Sequence, residues 1–94
     1  MDLGKTIKDY RVRKGYKQNE FAEKCGLTQA YLSKIENNQK EPTLAVLKTI
    51  AGALQLPLPI LFFVSMTAED VDPKKKEAYQ MIESSIKGMV ENFF

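Results

Sequence analysis

Gln18-Asn19-Glu20-Phe21-Ala22-Glu23-Lys24-Cys25, then Gly26-Leu27-Thr28, then Gln29-Ala30-Tyr31-Leu32-Ser33-Lys34-Ile35-Glu36-Asn37, reads as two short helices joined at a glycine corner. Phe21 and Cys25 lie one turn apart, as do Leu32 and Ile35, and with Leu27 at the corner they make one apolar seam. Ala22 is small enough for the two helices to approach closely. Gly26 falls just after the last helical residue, where a left-handed backbone costs glycine almost nothing. Thr28 is placed to cap the second helix, a stabilisation of roughly 1 kcal/mol. Gln29, Ala30, Ser33 and Lys34 then point away from the seam.

Two helices held in this way form a helix-turn-helix, whose second helix offers its free face to a DNA major groove. The charge distribution agrees. A net charge of +2 conceals an asymmetry: Met1 to Lys40 carries nine basic residues against five acids, whereas Glu41 to Phe94 carries five against seven. Positive charge therefore collects around the two helices, as a phosphate-binding surface requires.

Ninety-four residues make one domain with at most a short appendage. The single cysteine, Cys25, excludes an internal disulfide and reads as a small buried apolar residue. Met1 to Gly15 is charged throughout and has no apolar stretch of the kind a secretion signal needs. The longest apolar run, Leu56 to Val64, is too short to span a bilayer. A soluble cytoplasmic protein with no membrane partner is expected.

Further helices flank the central pair. Leu3, Ile7, Tyr10 and Arg11 share one face of a first helix ending near Gly15. Asn37 to Pro42 is a polar loop in which Asn38 is the natural left-handed residue. Thr43 caps a fourth helix with Leu44, Leu47, Ile50, Ala51 and Leu54 at helical spacing, and Leu56-Pro57-Leu58-Pro59 breaks it. Pro59 suits the first position of a short fifth helix whose Ile60, Leu61 and Phe62 close the core. No strand pattern or repeat is present.

Over Leu3 to Phe63 these residues resemble the Cro and Xre type of lambda-repressor-like regulators. The shared features are Ile7-x-x-Tyr10-Arg11, Lys14-Gly15, Gln18-x-x-Phe21-Ala22, the Gly26-Leu27-Thr28 corner, Leu32-Ser33-Lys34-Ile35-Glu36-Asn37, Pro42-Thr43 and Leu54-x-Leu56-Pro57. The resemblance implies an all-α fold: a five-helix DNA-binding domain, with an additional C-terminal amphipathic helix in this chain. It implies base contacts from Gln29, Ala30, Ser33 and Lys34. Glutamine suits adenine, lysine reaches guanine acceptors, and alanine touches a thymine methyl. It implies phosphate contacts from Gln18, Asn37 and Lys40, with Lys17 and Tyr31 in support. Arg11 and Glu36 resemble a structural ion pair tying the first helix to the end of the third. Two positions depart from the pattern. Lys17 replaces the usual serine or threonine cap, and Asn38 replaces a frequent loop glycine.

Beyond Phe63 the resemblance gives no guide. After Pro73-Lys74-Lys75-Lys76, the residues Tyr79, Ile82, Ile86, Met89, Val90 and Phe93 recur three and four apart on an amphipathic helix. It either folds back on its own domain or pairs with another subunit. Pairing is the expectation, because a symmetric dimer doubles the base contacts of a single recognition helix. Phe62, Phe63 and Val64 would join the interface.

Enzymatic chemistry is the reading with least support. The chain has no histidine, no glycine-rich phosphate loop and no carboxylate pair at a recognisable catalytic spacing. No metal and no cofactor is expected. A DNA-binding domain over residues 1–65 and a dimerising segment over 66–94 describe a dimeric repressor on a pseudo-palindromic operator. The alternative is an antitoxin or interaction module whose C-terminal helix grips a partner protein.

Overall fold

The glycine corner sits between helix α2 (Gln18–Lys24) and helix α3 (Gln29–Glu36) in the computed structural model, which describes residues 1–94. Gly26 adopts φ +69°, and the Leu27 N–H returns to the Ala22 carbonyl at 2.9 Å, closing the end of α2. Thr28 accepts from the Tyr31 N–H at 3.1 Å and opens α3. Lys17 cannot cap with its own side chain. Its backbone N–H donates to the Glu20 carboxylate at 3.2 Å, the half of a capping box that the acid three residues on can make, while the first-turn N–H groups of α2 receive no side-chain cap.

Four more helices surround this pair: α1 (Leu3–Arg13), α4 (Leu44–Ala53), α5 (Leu58–Ser65) and α6 (Lys76–Phe93). Helix α3 packs against α1 and α2, α5 packs against α1 and α4, and α6 lies against α5. Ile7, Phe21, Leu32, Ile50, Leu54 and Leu61 are fully buried at the common centre. Cys25 is buried with them, and burial pushes its thiol up, keeping it protonated and apolar. No single helix is long and apolar enough to cross a membrane. Leu44, expected on the buried stripe of α4, is exposed; it lies in the first turn, beyond the buried Leu47, Ile50 and Ala51. Pro59 takes the second position of α5 rather than the first, which falls to Leu58.

The C-terminal helix departs most from expectation. Tyr79 and Val90, assigned above to a subunit interface, are buried against their own domain. Val90 joins the main core, and Ile86 and Phe62 pack on its edge. The Tyr79 hydroxyl donates to the Met66 carbonyl at 3.0 Å, and its ring meets Phe63 with centroids 6.4 Å apart. These residues close the fold within one chain. A second, adjacent stripe stays open: Met81, Ile82, Met89 and Phe93 are 52 to 77% exposed. Spacing alone cannot separate two neighbouring apolar stripes on one helix.

Asn38 follows α3 at φ +57° and holds the start of α1. Its side-chain oxygen accepts from the Gly4 N–H at 3.1 Å, and its Nδ2 donates to the Asp2 carboxylate at 2.8 Å. Asp2 also caps α1 by accepting from the Lys5 N–H at 3.1 Å. The Asn38 amide and this backbone N–H hold the Asp2 carboxyl below its ordinary value. Gly4 is required by space. A Cβ there would stand 2.5 Å from both Asn38 Oδ1 and the Ile35 carbonyl oxygen, and 2.8 Å from that of Glu36. Two of these three are backbone atoms and cannot swing aside. Gly4→Ala is therefore expected to destabilise the protein by about 1–3 kcal/mol. Gly52→Ala, in an open position inside α4, should stabilise it by about 0.5–1 kcal/mol. Urea unfolding of both variants checks the contrast, and equal effects would mean that Gly4 is not sterically required.

Candidate nucleic-acid interface

Leu32, Ile35 and Glu36 turn α3 toward the core, and this decides which side chains remain free. Gln29, Ala30, Lys34 and Asn37 are exposed on the other side, with Ser33 half-buried at the edge. Asn37 Nδ2 lies 3.4 Å from Ser33 Oγ, so these two side chains meet along the rim. Tyr31 is half-buried against the core cluster, while Lys17 and Lys40 are exposed at either side of the motif. The Gln39 N–H donates to the Lys34 carbonyl at 2.8 Å, which ends α3 and turns the chain out toward Lys40.

Behind this face lies a closed ion pair. Arg11 Nε donates to Glu36 Oε2 at 2.7 Å and Arg11 Nη2 to Glu36 Oε1 at 3.1 Å. The remaining Arg11 nitrogen, Nη1, donates to the Tyr16 carbonyl at 2.8 Å and so fixes the turn before α2. Both side chains are nearly buried, at 8% and 1% exposure. Arg11 and Glu36 cancel each other inside the fold. The positive excess of the first forty residues is therefore carried by the other eight basic side chains against four acids.

Two further bonds run from the pair to the surface, and no spacing rule in the sequence announces them. Gln18 Nε2 donates to Glu36 Oε1 at 3.1 Å, and Gln29 Nε2 donates to Gln18 Oε1 at 3.3 Å. Residues 18, 29 and 36 come from three separate turns of two helices. Their meeting follows from the steep crossing of α2 over α3, which is a property of the folded motif.

The helix-turn-helix family model matches residues 7–61, more than half of the chain. The chain belongs to the helix-turn-helix family. It is 40% identical over 60 residues to the HTH-type transcriptional regulator SinR of Bacillus subtilis (strain 168), a match covering 63% of this chain and 54% of SinR. The chain thus spans about half the length of the curated relatives it matches. The crystal structure of SinR in complex with DNA superposes with a TM-score of 0.61 at 38% identity, over 64% of this chain and 97% of that one. A complex of SinR with the SinI protein superposes with a TM-score of 0.64 at 31% identity, over 88% and 80% of the two chains. These family members are transcriptional regulators rather than enzymes.

Removing only one partner of the buried pair leaves an uncompensated charge in the core. Glu36→Ala is expected to cost about 3–5 kcal/mol, whereas the apolar double replacement Arg11→Met/Glu36→Leu should cost far less. Thermal unfolding of the two variants distinguishes them. Equal losses would show that the pair is not sealed from water.

Proposed function

We propose that this protein is a sequence-specific, double-stranded-DNA-binding transcriptional regulator acting as a homodimeric repressor. The observation that carries this reading is the free face of α3. Gln29, Ala30, Ser33 and Lys34 stand together on a helix whose opposite face is locked into the core. Glutamine, alanine and lysine are side chains that read base edges in a major groove. Gln18, Lys17, Asn37 and Lys40 flank this face as phosphate contacts, and Tyr31 lies at its edge. Repression is steric: a dimer on a pseudo-palindromic operator keeps polymerase from the same DNA.

Dimerisation is assigned to the open stripe of α6, made by Ile82, Met89 and Phe93, with Met81 beside it. A second copy is the occupant that fits, because an operator with two-fold symmetry requires two recognition helices roughly 34 Å apart. The likeness to SinR in its complex with SinI extends over 88% of this chain and favours a second reading, in which the same stripe receives a different protein.

Selection of bound duplexes from a random library, at two salt concentrations, tests the main reading. A two-fold symmetric motif that persists at the higher salt supports it, and failure to enrich any motif overturns it. Gln29→Ala should relax preference at one base pair of each half-site by about tenfold. A uniform loss across all duplexes would remove Gln29 from the base-reading set.

The oligomeric state is tested by Ile82→Asp/Phe93→Asp. Both positions are exposed, so stability should change by no more than about 0.5 kcal/mol per site. Sedimentation velocity should show monomers in place of dimers. A dimer that persists moves the interface elsewhere, and a monomeric parent chain points to the partner-protein reading. Ile86 is a poorer probe because it packs on the core.

A further inference from the structure

We infer that the groove between α1 and α6 is a binding site for a basic α-amino acid, a small molecule with one carboxylate and two cationic groups.

Helix α6 does not close flush against α1. Lys87 stands near Tyr10, and farther along both helices Lys14 Nζ donates to the Phe94 carbonyl, so the two run in the same direction. Between them lies a groove of about 180 Å³, with Val64 of α5 and the buried Tyr10 at its floor.

Each wall carries an acid and a base one turn apart: Asp9 and Arg13 on α1, Lys87 and Glu91 on α6. Their order is reversed between the walls, so in helices of one direction the two acids take opposite corners. Lys87 is already neutralised, since its ammonium donates to Glu83 at 2.7 Å. Asp9, Arg13 and Glu91 make no ion pair. The groove therefore offers one free cation and two free anions, and its complement carries one anion and two cations. An α-carboxylate, an α-ammonium and a cationic side chain are that set.

The floor adds a donor without a partner. Tyr10 is only 7% exposed, yet its hydroxyl makes no hydrogen bond within the protein. Every sealed side-chain oxygen in this fold is paired, so the Tyr10 hydroxyl must reach open space, and the groove it lines is that space. Arg13 lies over the same ring with its guanidinium carbon 4.7 Å from the centroid, which restrains a long side chain at the groove. Arg13 and the Tyr10 hydroxyl can together donate to a carboxylate. Thr6 donates to the Asp2 carbonyl at 2.8 Å, so toward the groove its oxygen only accepts, as an ammonium beside Asp9 requires. Four residues of helix rise about 6 Å. The four-carbon stem of lysine spans about that distance, which suits ammonium groups held at the two acidic corners.

The test is a titration of the full chain with L-lysine at fixed ionic strength, followed by amide NMR shifts. Saturable shifts are expected around Asp9, Arg13, Lys87 and Glu91, with a dissociation constant of about 1 mM or tighter. Norleucine lacks the side-chain cation and cadaverine lacks the carboxylate, and each should bind at least about tenfold more weakly. Asp9→Asn, Arg13→Gln and Glu91→Gln alter exposed side chains, so the fold should persist while lysine binding weakens by about tenfold in each. Tyr10→Phe keeps the ring and should weaken lysine binding by about fivefold.

Absence of saturable shifts up to about 10 mM L-lysine overturns the site, as do shifts confined to another surface. Cadaverine binding as tightly as lysine would reduce the effect to attraction of cations by surface carboxylates. Norleucine binding as tightly would remove the second cation from what is recognised. Either result overturns the proposal, and so does unchanged lysine affinity in the three charge variants. Failure of the duplex selection leaves this site standing, because none of its residues lies on α3.

Discussion

The buried contact between Arg11 and Glu36 is the constraint on which the rest of this structure depends. Apolar burial drives α1, α2 and α3 together, but it is non-directional and fixes neither the rotation nor the register of one helix on another. A guanidinium and a carboxylate in a forked pair do both. Arg11 belongs to α1, Glu36 to the last turn of α3, and Gln18 to the first turn of α2. Arg11 also holds the Tyr16 carbonyl in the intervening turn. Desolvating two charges is costly, and it is tolerated here because the available donors and acceptors are used. No buried side-chain nitrogen or oxygen lacks a partner.

A helix that must meet a rigid duplex gains from being rigid beforehand, since side chains and turns ordered in the free protein cost no further entropy on binding. On the proposed reading α3 is such a helix, and it is held at both ends. Thr28 closes its N-terminus, and Asn38 fastens the chain after its C-terminus to Asp2 and Gly4 of α1. The close approach at Gly4 brings the first turn of α1 onto the Ile35 and Glu36 carbonyls. The ion pair therefore sets rotation, and the Asn38 contacts set position along the axis.

Much of this was legible in the sequence, and the unread part has a common cause. Gly26, Thr28 and Thr43 announce themselves because turns and caps are decided by one residue and its near neighbours. Asn38 was readable as a left-handed residue for the same reason, although its grip on Asp2 and Gly4 was not. Gly4 looks like any helical glycine until α3 is laid across it. Glu20 satisfies the Lys17 N–H at the start of α2, a contact that a search for a serine or threonine cap misses. The outward positions of α3 followed from periodicity and family resemblance, but the bonds joining Gln29, Gln18 and Glu36 did not. They span two helices and depend on a crossing angle that no local pattern encodes. At α6 the periodicity was correct and the inference from it incomplete. Tyr79 and Val90 serve their own core, so only part of the apolar surface is left for association.

That division of α6 has a geometric consequence for how a dimer would meet DNA. Val90 is 2% exposed within the same core that holds Leu32 and Ile35 of α3, and Tyr79 is bonded to Met66 at the end of α5. The helix is therefore fixed to the helix-turn-helix domain rather than tethered by a flexible linker, despite the two single-turn helical segments that lead into it. With a rigid mount, a contact along Ile82, Met89 and Phe93 would determine the separation and mutual orientation of the two α3 helices. Half-site spacing would then be a property of core packing, and a change at Val90 or Tyr79 would alter it without touching either the DNA face or the dimer face.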